Sequence, residues 1–384
     1  MGSKESTIVI VTNYYMPTVG GITTYVQSLA RELEKRGHDV RISAFPAWLS
    51  RREDNIGSKA AHRIVHEIVA SVFVMVVLCR ILRLRLAGKS VVVHSQSASY
   101  CLEAGVLARL FGAKAVHTFH SPIEKCTMKL GCLLPFANAL VCVSEEHRAQ
   151  YIEKCGISPD TAIIPGGVDC EFFRPVSPSE KEKVITSLAR AIGSDVPSRP
   201  IVLFVGRVIR EKGAEVLLEA AKRVTKEFPG AEFIVIGPLD QTAIQREFVG
   251  NLKLRIEKDT HYHLIGALDQ NNLRRAYQAG DIFVCPVLWE EASGLVVVEA
   301  MASGLPVIAS RIGGLKSRVV DGISGRLVEP GDPGQLAEAI MDYLRNPARM
   351  LEAGIESRKL AVAKYSIESM TSACEAIYQK VTAT

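Results

Sequence analysis

The sequence predicts an α/β protein of two doubly wound, Rossmann-like domains facing each other across a cleft. Three observations predict it. At 384 residues the chain is long enough for two cores of ordinary size. Short apolar runs of buried-strand length alternate with helical stretches from Thr7 to Val328, the pattern of parallel sheets covered by helices. A polar stretch over 170–200, carrying Pro175, Pro178, Pro197 and Pro200, divides that series as an interdomain connector should. The expected division is a first domain over 1–176, a linker over 177–200 and a second domain over 201–366. A final helix near 367–384 follows the natural end of the second domain and is expected to return to the first.

In chain order, Thr7–Thr12 reads as a buried strand. It leads into a loop with Pro17 and the pair Gly20-Gly21. Ile22, Tyr25, Val26, Leu29, Ala30 and Leu33 then recur at helical spacing, and Lys35-Arg36-Gly37 closes that helix. His38–Ala44 is the next strand. The unit is βαβ, with its glycines at the strand-to-helix turn where open α/β sheets bind ligands. A dinucleotide fingerprint would need Gly-x-Gly-x-x-Gly here and an acidic end to the second strand. Neither is present, which argues against an NAD enzyme.

Residues 45–61 read as a polar, mobile loop, and His62–Leu86 as a helix. Its apolar stretch, Ile68–Cys79, falls short of the roughly 20 residues needed to span a bilayer. Further strands are expected at Val91–Ser95, Lys114–Phe119, Ala139–Val143 and Thr161–Ile164. In the second series they are expected at Ile201–Val205, Glu232–Gly237, His263–Gly266, Asp281–Pro286, Leu305–Ser310 and Arg326–Val328.

Composition is that of a soluble globular protein, 48% hydrophobic and 23% charged. The nine scattered cysteines include no Cys-x-x-Cys pair, so they read as reduced core residues of a cytosolic protein. No secretory leader is read at the N-terminus. The net charge of +5 is local in origin: Arg51, Arg52, Lys59, Arg63, Arg80, Arg83, Arg85 and Lys89 face only Glu53, Asp54 and Glu67 over the same span. That cluster suggests an anionic partner met locally, such as a membrane surface beside the apolar helix. The chain as a whole is not polybasic, and no nucleic-acid partner is expected.

The most informative stretch is Glu290–Gly304. Ser293 stands where a helix N-cap belongs, so the amides of Gly294, Leu295 and Val296 would point out of the helix start, where the dipole favours a diphosphate. Glu299 lies about 7.5 Å further along the axis, the reach from a diphosphate to a ribose. Glu291 precedes the turn and would face the other side of the same anion. The bland alternative is a solvated Glu291 and a Glu299 on the wet face of an ordinary helix. Gly206-Arg207 and Lys212-Gly213 follow the first strand of the second series, and those cations would neutralise a diphosphate leaving group. His120 falls at a strand's carboxyl end, where site residues gather.

These segments in register resemble the retaining family 4 glycosyltransferases of the GT-B fold. The resemblance runs over about 8–380. It is carried by Pro17-x-x-Gly20-Gly21, Thr118-Phe-His120, Val143-Ser144, Ile164–Asp169, Gly206-Arg207-x4-Lys212-Gly213, Glu291-x7-Glu299 and the run from Asp321 to Asp332. Lipid-directed members, such as phosphatidylinositol mannosyltransferases, are the nearest in flavour. The resemblance implies that Arg207 and Lys212 hold the diphosphate of a UDP- or GDP-sugar, Glu299 its ribose and Glu291 the hydroxyls of its sugar. It implies His120 beside the reacting sugar, Gly20-Gly21 near the diphosphate and acceptor, and no metal or cofactor. The acceptor would be a hydroxyl, on a phospholipid or another anionic molecule near Arg51–Lys89. The chain departs from the family pattern at Ser293, where a bulky residue is usual, at Gly166 and at Lys316-Ser317. Two other readings remain: the same chemistry on a soluble acceptor, and a non-catalytic nucleotide-binding module.

Overall fold

The computed structural model describes residues 6–15, 20–46, 59–192, 200–239, 242–256 and 261–383. The chain divides into two compact units, Met1–Gly167 with Ile367–Thr384, and Val168–Ser366. Each is built on a six-stranded sheet whose paired neighbours are all parallel.

In the first unit β1 (Thr7–Thr12), β2 (Val40–Ala44), β3 (Val91–Gln96), β4 (Lys114–Thr118), β5 (Ala139–Cys142) and β6 (Ala162–Ile163) lie in the order β2-β1-β3-β4-β5-β6. The helices are α1 (Gly21–Lys35), α2 (Lys59–Leu86), α3 (Ser99–Ala108), α4 (Met128–Leu133) and α5 (Glu145–Cys155). The period-2 alternation of β1 is visible in its packing. Val9 and Val11 join Phe73, Val77 and Ile81 of α2, while Ile8 and Ile10 join Tyr25 and Leu29 of α1. The strand order reverses between β1 and β3, so the open end of this sheet lies beyond Thr12 and Gln96.

The second unit opens with α6 (Pro178–Ile192). Then come β7 (Ile201–Val205), α7 (Ala214–Glu227), β8 (Glu232–Ile236), α8 (Ala243–Ile256), β9 (Tyr262–Gly266), α9 (Gln270–Ala279) and β10 (Ile282–Cys285). After these come α10 (Leu295–Ala302), β11 (Val307–Ser310), α11 (Leu315–Arg318), β12 (Gly325–Val328), α12 (Pro333–Arg345) and α13 (Pro347–Lys364). The sheet order is β12-β11-β10-β7-β8-β9, with its reversal between β7 and β10. α14 (Ile367–Ala383) belongs to the first unit: Met370, Cys374, Tyr378 and Val381 complete the core around Ile8, Tyr25 and Leu29. The Tyr378 hydroxyl lies 2.6 Å from Nδ1 of buried His94, and Arg36 reaches Glu375 at 2.7 Å.

Three expectations change. The stretch expected as a linker over 177–200 contains α6, whose Ile185, Leu188 and Ala189 are buried. Pro178 stands at the first helical position, where its missing N–H and fixed φ suit the start of a helix. The polar loop expected over 45–61 falls mostly on 47–58, outside the described residues, and α2 already begins at Lys59. The apolar part of α2 also exceeds the twelve-residue core: Ile64–Leu86 is 23 residues long with a mean hydropathy of 2.2, enough by length and composition to cross a membrane.

Candidate functional site

The turn after β7 carries Gly206 and Arg207, and a single 3-10 turn, Arg210–Lys212, follows. Gly213 ends that turn at φ 78°, and a Cβ there would lie 1.9 Å from the Pro286 carbonyl oxygen. Only glycine lets the turn lie flat against the chain leaving β10. Lys212 is thereby brought to the loop before α10, where its ammonium donates to the Glu291 carboxylate and lies 5.9 Å from the Trp289 ring centroid. Burial acts to raise the pKa of Glu291. Lys212 and the Gly294 and Ser293 amides outweigh it and hold the group below the ordinary carboxylate value, an anion at neutral pH.

Helix α10 starts one residue later than the cap expectation placed it. Ser293 is not the cap: Gly294 is, at φ 59°, and no side chain of its own caps the helix. The carboxylate of Glu291 takes part of that role, its Oε1 accepting from the Gly294 amide at 3.3 Å. Of the three amides expected to be open, Gly294 is therefore engaged. Leu295 and Val296 have no hydrogen-bond acceptor for theirs among the described residues. Arg207 is exposed and makes no ion pair among them.

Glu299, on the second turn of α10, is 8% exposed, which removes the wet-face alternative. Burial raises its pKa to about 7, against a smaller lowering by the Tyr277 hydroxyl, which donates to Oε2 at 2.8 Å. The loop after β11 braces the other side: the Gly314 amide donates to the Glu291 carbonyl at 2.7 Å. The buried Arg318 guanidinium donates to the Ser293 carbonyl at 3.0 Å and lies 4.3 Å over the Tyr365 ring. Arg207, Lys212, Glu291, the α10 start and Glu299 thus collect at the reversal point of this sheet.

In the first unit Gly20 caps α1 and Gly21 begins it, both exposed; Pro17 lies outside the described residues. His120 follows β4. Its Nε2–H donates to the side-chain Oε1 of Gln96 at 2.7 Å, and its ring meets Tyr25 edge-on at 4.6 Å. Burial, followed by the nearby His94, His147 and His117, pulls its pKa down to about 3, so the imidazole is neutral at physiological pH. Around it the sequence reading missed three residues. Gln96 Nε2, Ser97 Oγ and Asn13 Oδ1 are buried polar atoms without a hydrogen-bond partner among the described residues, and Ser97 holds φ 59°. Asn13 follows β1 and Ser97 follows β3, two strands paired in parallel up to Val11 and Ser95. No sequence signal marks them, because a strand-end Asn or Ser is ordinary turn chemistry. Tyr277 and Arg318 were missed for a related reason, since burial of a polar side chain against a site is a tertiary fact.

The basic segment is only partly described. Arg51 and Arg52 lie outside the described residues, as do the side chains of Lys59 and Arg63, both on α2. Arg80 does not face a partner: it donates to the Ile42 carbonyl and to the Ser43 hydroxyl, both at 3.0 Å, because its position on α2 turns it toward β2. Arg83 is exposed. The outer face of α2 is apolar, with Ile68 58%, Met75 65% and Val76 61% exposed. No group of three or more His, Cys, Asp or Glu side chains that could hold a metal stands together among the described residues.

Two family models match the chain in succession, Glycosyltransferase Family 4 over residues 19–172 and Glycosyl transferases group 1 over 186–360. The chain is 30% identical to D-inositol 3-phosphate glycosyltransferase 2 of Catenulispora acidiphila, over 72% of this chain and 68% of that one. It is 27% identical to the phosphatidyl-myo-inositol mannosyltransferase of Mycobacterium leprae, over 96% of this chain and 95% of that one. The crystal structure of Anabaena HepE in complex with UDP-glucose has the same fold, with a TM-score of 0.75 at 18% identity over 98% of this chain and 100% of that chain. Two parallel α/β units, matched one after the other by both halves of a single family, make the chain a glycosyltransferase of the family 4, group 1 type with the GT-B fold.

Proposed function

We propose that the protein is a retaining glycosyltransferase that moves a hexosyl or N-acetylhexosaminyl group from a UDP- or GDP-sugar to a hydroxyl of an anionic lipid acceptor. One observation carries the donor half. Arg207, the Lys212–Glu291 pair and the α10 start stand together, with Glu299 further along the same helix. Arg207, Lys212 and the Leu295 and Val296 amides bind the diphosphate, Glu291 a sugar hydroxyl and Glu299 the ribose. In the step itself the acceptor oxygen bonds to the anomeric carbon on the face from which the diphosphate oxygen departs. The acceptor proton passes to that departing oxygen, so configuration is kept. Two cations and the helix amides stabilise the charge that develops there, and no metal or cofactor is called on. Gly20-Gly21 and His120 serve the diphosphate, acceptor and reacting sugar from the first unit, His120 as a neutral hydrogen-bonding group.

The lipid clause draws support from the relative named for phosphatidyl-myo-inositol and from the uncovered apolar face of α2, with Arg83 exposed at its C-terminal end. That face would rest on the cytoplasmic surface of an anionic membrane. A soluble polyol phosphate is the second reading, favoured by the relative named for D-inositol 3-phosphate. The deciding experiment incubates the protein with labelled UDP- and GDP-sugars and either phosphatidylinositol vesicles or inositol phosphate, with and without EDTA. Label entering the lipid phase, unchanged by EDTA, is expected. Label transferred only to the soluble acceptor would remove the lipid clause, and transfer lost with EDTA would remove the metal-free mechanism.

A further inference from the structure

Glu299 is a carboxylate in a buried place, and such a group keeps a fixed direction only if something holds it. Among the described residues the group that does so is Tyr277 on α9. Its hydroxyl is fully buried, 2.8 Å from Glu299 Oε2 and 3.3 Å from the Val296 carbonyl. A hydroxyl has a single proton to donate, and the shorter contact to the carboxylate takes it. The ring is in turn fixed between Phe173, edge-on at 5.7 Å, and Phe283 at 5.8 Å. Val296 and Glu299 lie three residues apart on one face of α10, so a single hydroxyl touches both the turn whose amides face the diphosphate and the carboxylate assigned to the ribose. Oε1 of Glu299 makes no hydrogen bond among the described residues. The site is therefore a carboxylate with one oxygen tied to the protein and one left as an acceptor.

From this geometry we propose that Tyr277 is a positioning residue for the nucleotide, fixing Glu299 so that its free oxygen accepts from the ribose 2′-hydroxyl. The proposal rests on the reading of Glu299 as the ribose ligand. It adds that selectivity for a ribose over a deoxyribose depends on a residue that never touches the nucleotide. Without the hydroxyl, Glu299 would be buried with no partner. Its raised pKa of about 7 shows how readily it would then take up a proton or turn away.

The test uses the full chain and binding alone, so it does not depend on turnover. Isothermal titration measures UDP, GDP and their 2′-deoxy counterparts against the wild type, Tyr277→Phe, Glu299→Gln and the double variant. The wild type is expected to bind at least one ribonucleotide about five- to tenfold more tightly than its deoxy form, the size of one well-made hydrogen bond. Tyr277→Phe should reduce that ratio to under twofold while leaving the deoxynucleotide affinity unchanged. The double variant should lose no more than Glu299→Gln alone. A general loss of packing would weaken both nucleotides equally and keep the ratio, which would overturn the proposal and leave the ribose reading standing. A wild type that does not distinguish the two sugars, or binds neither nucleotide, overturns both.

Discussion

Lys212 and Glu291, 79 residues apart in sequence, form an ion pair at the mouth of the second sheet, each less than a fifth exposed. The cation proposed to meet a diphosphate is thus matched to the carboxylate proposed to meet a sugar. Each holds the other in place.

That pairing gives opposite signatures for stability and activity. Lys212→Ala should lower transfer at least a hundredfold and, by leaving Glu291 unpaired, lower stability by about 1–3 kcal/mol. Replacing both partners, as Lys212→Met with Glu291→Leu, should recover most of the stability and none of the activity. Urea melts beside a transfer assay check both. Recovery of activity in the double variant would remove Lys212 and Glu291 from the site.

Glu299 makes stability fall as pH rises. Its folded pKa of about 7 lies above the ordinary 4.5, so the stability tied to its protonated form is complete below about pH 4.5 and is lost as pH climbs through 7. Glu299→Gln should therefore gain on the wild type between pH 5 and pH 8, by up to about 3 kcal/mol. Denaturant melts across that range measure the difference, and a gap that does not widen with pH refutes the assignment.

His120 has the opposite sign. A histidine depressed to about 3 contributes stability present above the ordinary value of 6.5 and lost as pH falls toward 3. It is neutral through the physiological range and should add no limb to the kcat profile between pH 5 and 8. His120→Asn should slow transfer while leaving the shape of that profile unchanged. A limb near 6.5 that disappears in the variant would show His120 working as a titrating acid or base.

The two faces of α2 can be separated by substitution. Arg80→Ala removes bonds to Ile42 and Ser43 and should lower stability by about 1–2 kcal/mol without altering vesicle binding. Met75→Asp on the uncovered face should leave stability within about 0.5 kcal/mol. It should also abolish flotation with phosphatidylinositol-containing vesicles. Flotation that persists in Met75→Asp would free this face from any lipid role.

Most of the strand plan was legible because parallel sheets covered on both sides need unbroken apolar runs. Thr7–Thr12 and Ile201–Val205 coincide with β1 and β7, and the others differ at their ends by one or two residues. The site motifs were legible where chemistry and spacing coincide, as at Glu291 and Glu299. What could not be read was direction. Arg80 and Arg83 look alike in sequence, yet three residues of helix turn one onto β2 and the other to the surface. Pro178 reads as a chain breaker or a helix start with equal ease, and the apolar positions at Ile185 and Leu188 decide it only once a core is there to receive them. The Ser293 cap failed because Gly294 takes a left-handed φ of 59°, which leaves it outside the helix as the cap and makes Leu295 the first helical residue.

The return of α14 makes the second unit an insertion within the first, and this bears on synthesis. Residues 168–366 are contiguous and can fold as soon as they leave the ribosome. The half made earlier must wait, because the side chains that close over Tyr25 and His94 are translated only after the whole second unit. Deleting Ile367–Ala383 would therefore spoil the first unit and spare the second.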